Sequence, residues 1–158
     1  MWYARDVRDR ILTRLEDATN GINALLTVID GERSETTPQA ELITYGENQS
    51  QFPAVYIDLA DSNIESVRGM DVTVMPEVFE CQITAEVPGS DLASAKDQAE
   101  NYIEAILRSL QNYEVRNADG ENFVCLASGV VRELLGNQKG QVMRRIGVEF
   151  QVVRNFQY

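Results

Sequence analysis

Asp58, Asp61 and Glu65 lie within one short stretch, and three carboxylates so placed are the kind of group that holds a hard divalent cation. They follow no EF-hand spacing, and 25 acidic residues in 158 produce such clusters by chance. They therefore read as a solvated acidic edge. Asp58 and Glu86 are a pair that a carboxylate hydrolase would use for general acid–base work, but nothing in their spacing supports that use. Gly136-Asn137-Gln138-Lys139-Gly140 is bounded by glycines and carries a lysine, as phosphate loops do. It lacks the GxxxxGK(S/T) spacing and leads into a strand, whereas a phosphate loop needs a helix N-terminus behind it. It reads as a hairpin tip. Cys81 and Cys125 form no CxxC unit, and each falls in an apolar alternation, so both are expected to be small buried hydrophobes in a reducing compartment.

Histidine is absent from the chain. That removes Ser-His-Asp and Cys-His catalysis, imidazole-ligated zinc and any histidine proton shuttle. Twenty-five acids against 14 bases give a formal charge of −11. Such a balance argues against a general nucleic-acid binder, which needs a positive face to displace counterions. No catalytic residue, metal site or cofactor is expected. Composition leans towards a binding or structural protein.

The N-terminus is charged from residue 5 onward with no apolar run, so no signal peptide is predicted, and no stretch approaches a membrane span. The protein is expected to be cytosolic where it is made. Val7, Ile11, Leu12 and Leu15 recur at helical spacing and predict a helix over 5–17. A second is predicted from 20 to about 30, with Asn20 as its cap and Ile22, Leu25, Leu26 and Ile29 on one side. Residues 31–53 are polar and read as a surface excursion, with 42–45 its one strand candidate. Val55, Ile57 and Leu59 alternate in a strand over 54–59. Phe79, Cys81, Ile83, Ala85 and Val87 alternate in a second strand over 79–87 that ends at Pro88-Gly89. Asp91 caps the best helix, 91–112, whose apolar stripe runs from Leu92 to Leu110. Two long strands follow, 123–135 and 142–154, joined by a six-residue polar loop.

The order is thus one or two helices, two strands, a helix and two strands. It predicts a single-domain α+β fold over 1–158: an antiparallel or mixed sheet packed by the N-terminal helices and one long crossover helix. A ferredoxin-like split βαβ arrangement also satisfies this order. The charge is unevenly distributed along the chain. Residues 1–29 are neutral, residues 30–122 carry 19 acids and five bases, and residues 123–158 carry two acids and five bases. A solvated surface accounts for this; so does a bipolar subunit whose basic hairpin, with Arg132, Lys139, Arg144 and Arg145, meets the acidic flank of a neighbour. Opposite poles favour head-to-tail contacts, and those that close make rings. The segment 66–77 is too apolar for a purely solvated loop. Val67, Met70, Val72, Val74 and Met75, with Arg68 among them, are either core filler or an adhesive loop that orders against a partner.

The run Phe52-Pro53-Ala54-Val55-Tyr56-Ile57-Asp58-Leu59-Ala60-Asp61-Ser62 precedes the strand at 78–87. Asp91-Leu92-Ala93-Ser94-Ala95 then opens a helix that ends in Ile106-Leu107-Arg108-Ser109-Leu110, and Gly147-Val148-Glu149-Phe150-Gln151-Val152-Val153 closes the pattern. Together these resemble the tail terminator, or tail completion, proteins of long-tailed bacteriophages, and less closely other head–tail neck proteins. The resemblance covers about 50–158 in element order, plus the N-terminal helix. It implies a virion protein without chemistry: a ring, typically of six subunits, that sits on the finished tail tube, stops its polymerisation and offers a surface to the head connector. It also implies a homo-oligomer that meets tail tube and connector proteins, assembled in the host bacterial cytoplasm, with DNA passing through unbound. A neck or stopper protein is the alternative in the same class. A small-molecule-binding α+β regulator, from a different class, would need a polar pocket between sheet and helix where the 92–110 stripe is apolar.

Overall fold

Apolar residues at helical spacing, with charge between them, make the first helix. In α1 (Ala4–Leu15) Val7, Ile11 and Leu15 are fully buried, and the Asp6 carboxylate accepts the Tyr3 backbone N–H at 3.0 Å. α2 (Ile22–Arg33) buries Ile22, Leu26 and Ile29. Its cap is Gly21, one residue beyond the expected Asn20, because a Cβ there would run into the backbone of Leu15 and Asp17. Asn20 serves the junction differently: its backbone N–H donates to Asp17 Oδ2 (2.8 Å) and its carbonyl accepts from Ser109 Oγ (2.8 Å). The computed structural model describes residues 3–46, 51–64, 74–138 and 141–157.

The polar stretch after α2 is tied down. Ser34 adopts the left-handed conformation that stops the helix (φ 55°). Thr37, buried, donates to Asp30 Oδ1 at 2.6 Å, and the Tyr102 hydroxyl donates to the Pro38 carbonyl at 2.7 Å. β1 (Leu42–Tyr45) then lies parallel to β2 (Ala54–Ile64). The other strands are β3 (Val74–Gly89), β4 (Glu114–Arg116), β5 (Asn122–Gln138) and β6 (Gln141–Gln157), with α3 (Leu92–Leu110) between β3 and β4. The sheet order is β1-β2-β3-β6-β5-β4, antiparallel except for the β1–β2 pair. This is the expected α+β class with a mixed sheet.

Two expectations change. The hairpin strands extend to Gln138 and resume at Gln141, so most of the predicted six-residue loop is paired ladder. β4 was not anticipated, because three residues are too few to show a period. The split βαβ alternative is present at the centre of the sheet: β3 and β5, connected through α3, run parallel to each other with β6 inserted between them, and β4 is a short addition outside β5.

Alternation divides the sheet. Val55, Ile57, Phe79, Cys81, Ile83, Ala85, Ile146, Val148, Phe150 and Val152 face α3, and form one buried cluster with Tyr102, Ile103, Ile106 and Leu110. Each large aliphatic there contributes about 2 kcal/mol through removal from water. The β3-to-α3 turn is close: a Cβ on Gly89 would lie 2.6 Å from the Ala95 backbone nitrogen, and Asp91 caps the helix by accepting from Ser94 N–H at 2.8 Å.

Candidate assembly surface

Among the described residues no helix packs over the middle of the face turned away from α3, yet that face hides polar groups. Ala54, Glu86, Arg145 and Glu133 lie side by side across β2, β3, β6 and β5, with Tyr56, Thr84, Gly147 and Val131 in a second row. Glu86 is 4% exposed. The Arg145 guanidinium donates to its Oε1 from Nε (3.0 Å) and Nη2 (2.8 Å), and the Tyr56 hydroxyl donates to the same oxygen at 3.3 Å. Glu133 lies 3.5 Å from Arg145 Nη1 on the other side. A buried carboxylate needs such partners, since an isolated one costs several kcal/mol. Alternation turns Glu86 away from the core, yet it is buried there beside its cross-strand neighbour Arg145.

An open groove of about 840 Å³ crosses this face. Its walls are the start of α1 (Ala4, Arg5, Arg8), the end of β1 (Tyr45, Gly46) and the sheet residues Tyr56, Asp58, Gln82, Thr84, Glu133 and Arg145. The Arg8 guanidinium stacks 4.0 Å from the Tyr45 ring centre, which fixes one wall.

The predicted interface residues do not form one patch. Val67, Arg68, Met70, Val72 and Lys139 lie outside the described residues. Val74 and Met75 are not in a loop: they open β3, opposite Gln157 and Phe156 of β6. Arg132 and Arg145 point to opposite faces. Arg132 donates to Glu100 of α3 from Nε (2.6 Å) and Nη2 (3.0 Å), which holds the Glu100 carboxyl below its usual range. Arg144 shares the α3 side with Arg132 and is half-buried; among the described residues it makes no ion pair and lowers the Glu100 pKa only from a distance. Arg154, outside the predicted set, pairs with buried Glu77. Much of the hairpin's positive charge is therefore balanced within the subunit.

The residues weighed for chemistry are equally placed by the fold. Asp58 is exposed in the groove, while Glu86 is occupied by Arg145. Glu65 lies outside the described residues, and among those described no three metal-ligating side chains meet. Cys81 and Cys125 are free and buried; burial pushes the Cys81 thiol pKa up strongly and that of Cys125 to about 12. Among the described residues no helix is long and apolar enough to cross a membrane.

Sequence reading missed the outer edge of β5. Leu126, Val130, Val131 and Leu134 are 36–52% exposed, half of the large exposed hydrophobic residues described. The signal was present in the doublets Val130-Val131 and Leu134-Leu135, which break alternation as buried strands do. Here they mark a strand near the sheet's edge with register shifts at Ala127/Gly129 and Leu134/Gly136.

No protein-family model matches the chain, and no curated protein matches it. A solved structure does. A chain of the virion of a native gene transfer agent particle superposes with a TM-score of 0.55 over 92% of this chain and 91% of that one, at 15% identity. The two share a fold.

Proposed function

We propose that the chain is a structural protein of a phage-like virion and, within that class, a tail terminator. Copies of it form a ring, six by the family resemblance, that closes the end of a tail tube, stops its polymerisation and presents a docking surface to the head connector. The observation that carries this reading is the fold shared, over nearly the whole of both chains, with a component of a gene transfer agent virion. The family resemblance in element order points the same way on independent grounds. The site geometry agrees with a role that has no reaction in it: the buried carboxylate is consumed by Arg145, and the groove is open and mixed in charge. The net charge of −11 suits a bore that DNA traverses without sticking.

The experiment is light scattering across protein concentration and salt, alone and with purified tubes of the cognate tail-tube protein. The terminator reading expects mass that is a multiple of the 17.8 kDa subunit, in solution or on the tube end. A particle of 17.8 kDa throughout, with no association with tubes, overturns it. A neck or stopper protein is the second reading, favoured if rings form but bind the connector and leave tubes untouched.

A further inference from the structure

β5 begins as a closed edge and ends as an open one. β4 pairs with Asn122–Val124; the turn before β4 then takes Cys125, through Asn112 N–H to its carbonyl and its N–H to the Tyr113 carbonyl, both 2.9 Å. Gln111 Oε1 accepts the Ala127 N–H at 2.7 Å. From residue 128 to residue 138 nothing among the described residues pairs with the outer side of β5. Natural edges are usually guarded by charge or proline. This stretch has no proline, and its two charges, though exposed, are engaged within the subunit, Arg132 with Glu100 and Glu133 with Arg145. Val130, Val131 and Leu134 are exposed beside them.

The opposite border of the sheet has a matching opening. β1 covers only Ala54–Ile57 of β2, so residues 58–64 of β2 are bare on their outer side among the described residues. β2 runs antiparallel to β5, since three successive antiparallel pairings separate them. The register sets residues 58–64 level with 123–129, so a copy rotated into place beside another and shifted along the strand direction brings the bare stretch of β2 in one against the bare stretch of β5 in the next as an antiparallel pair, the geometry of strand addition.

We infer that residues 128–138 of β5 are the docking edge for residues 58–64 of β2 in a second copy of this chain, so that the sheet continues from subunit to subunit. This rests on the reading that the protein assembles, and it is a head-to-tail contact that adds copies in one direction until the rotation closes.

The test is amide hydrogen exchange read by mass spectrometry on the wild-type protein, comparing dilute subunit with the assembled fraction, free or on tail tubes. Both 58–64 and 128–138 should exchange at least about tenfold more slowly in the assembly, as amides do on gaining partners. In parallel, Val131→Lys with Leu134→Lys should abolish assembly and leave the melting temperature unchanged. An assembly that exchanges both segments at the dilute rate overturns the docking edge while assembly itself stands. Protection of 128–138 without 58–64 overturns the choice of occupant. If the double variant fails to fold, the exchange comparison decides alone. A wild-type protein that stays monomeric with and without tubes defeats the assembly reading, and the inference with it.

Discussion

Glu86 has 4% of its surface exposed on the sheet face turned away from α3, and three donor contacts converge on its Oε1 from Arg145 and Tyr56. Removing one member of such a pair leaves a buried charge uncompensated, so Arg145→Ala should cost about 3 kcal/mol in urea unfolding. Glu86→Gln combined with Arg145→Met should recover most of it. Among the described residues Arg144 next door makes no ion pair, so Arg144→Glu should stay within about 1 kcal/mol of wild type while weakening assembly. A shared loss of folding in both arginine variants would return them to one structural role. The two thiols belong to this scale too. Burial raises both pKa values, so Cys81 and Cys125 should react with a thiol reagent only once urea opens the core. Rapid labelling of the native protein would contradict their placement.

At the scale of elements, α3 is the part on which the sheet depends. Ile106 is fully buried against it, and Ile106→Ala should cost about 3 kcal/mol by unfolding. The helix also carries charge contacts that set an acid limit. Arg132 holds Glu100 below its ordinary value of 4.5, and Arg108 does the same for Glu32. Carboxyls depressed in the folded state stabilise above their unfolded pKa and lose that contribution as pH falls through the folded one. The melting temperature should therefore drop below about pH 4.5, less steeply in Glu100→Gln. These elements were legible in sequence because their signals are periodic: the stripe of α1 and α3, and the alternation over 79–87. The extension of β5 and β6 towards each other was not legible, because Gly136, Asn137 and Gln141 are turn-forming types and only the ladder across the sheet holds them extended. β4 is set by what precedes β5, not by its own three residues. Gly21 replaced Asn20 as a cap for a reason of contact, which no local propensity contains.

For the whole molecule, charge changed meaning once partners were known. The sequence shows an acidic middle and a basic last quarter; the fold joins them inside the subunit through Arg132–Glu100, Arg145–Glu86 and Arg154–Glu77. The candidate basic pole was visible as a cluster in sequence, but alternation sends its members to two faces, and ion pairs within the subunit engage Arg132 and Arg145. The open edge was invisible for the opposite reason. Aliphatic doublets look buried, and only the shortness of β4 and β1 reveals that they border solvent. A subunit whose β2 and β5 are each bare over part of their outer side among the described residues is suited to meeting copies of itself, as the proposed ring requires.

The most direct test is electron microscopy of cognate tail tubes polymerised with and without the protein. A terminator should add a ring of extra density at one end of each tube, and growth should stop once it is present. Tubes with bare ends and an unchanged length distribution, at protein concentrations above that of the tubes, would contradict it.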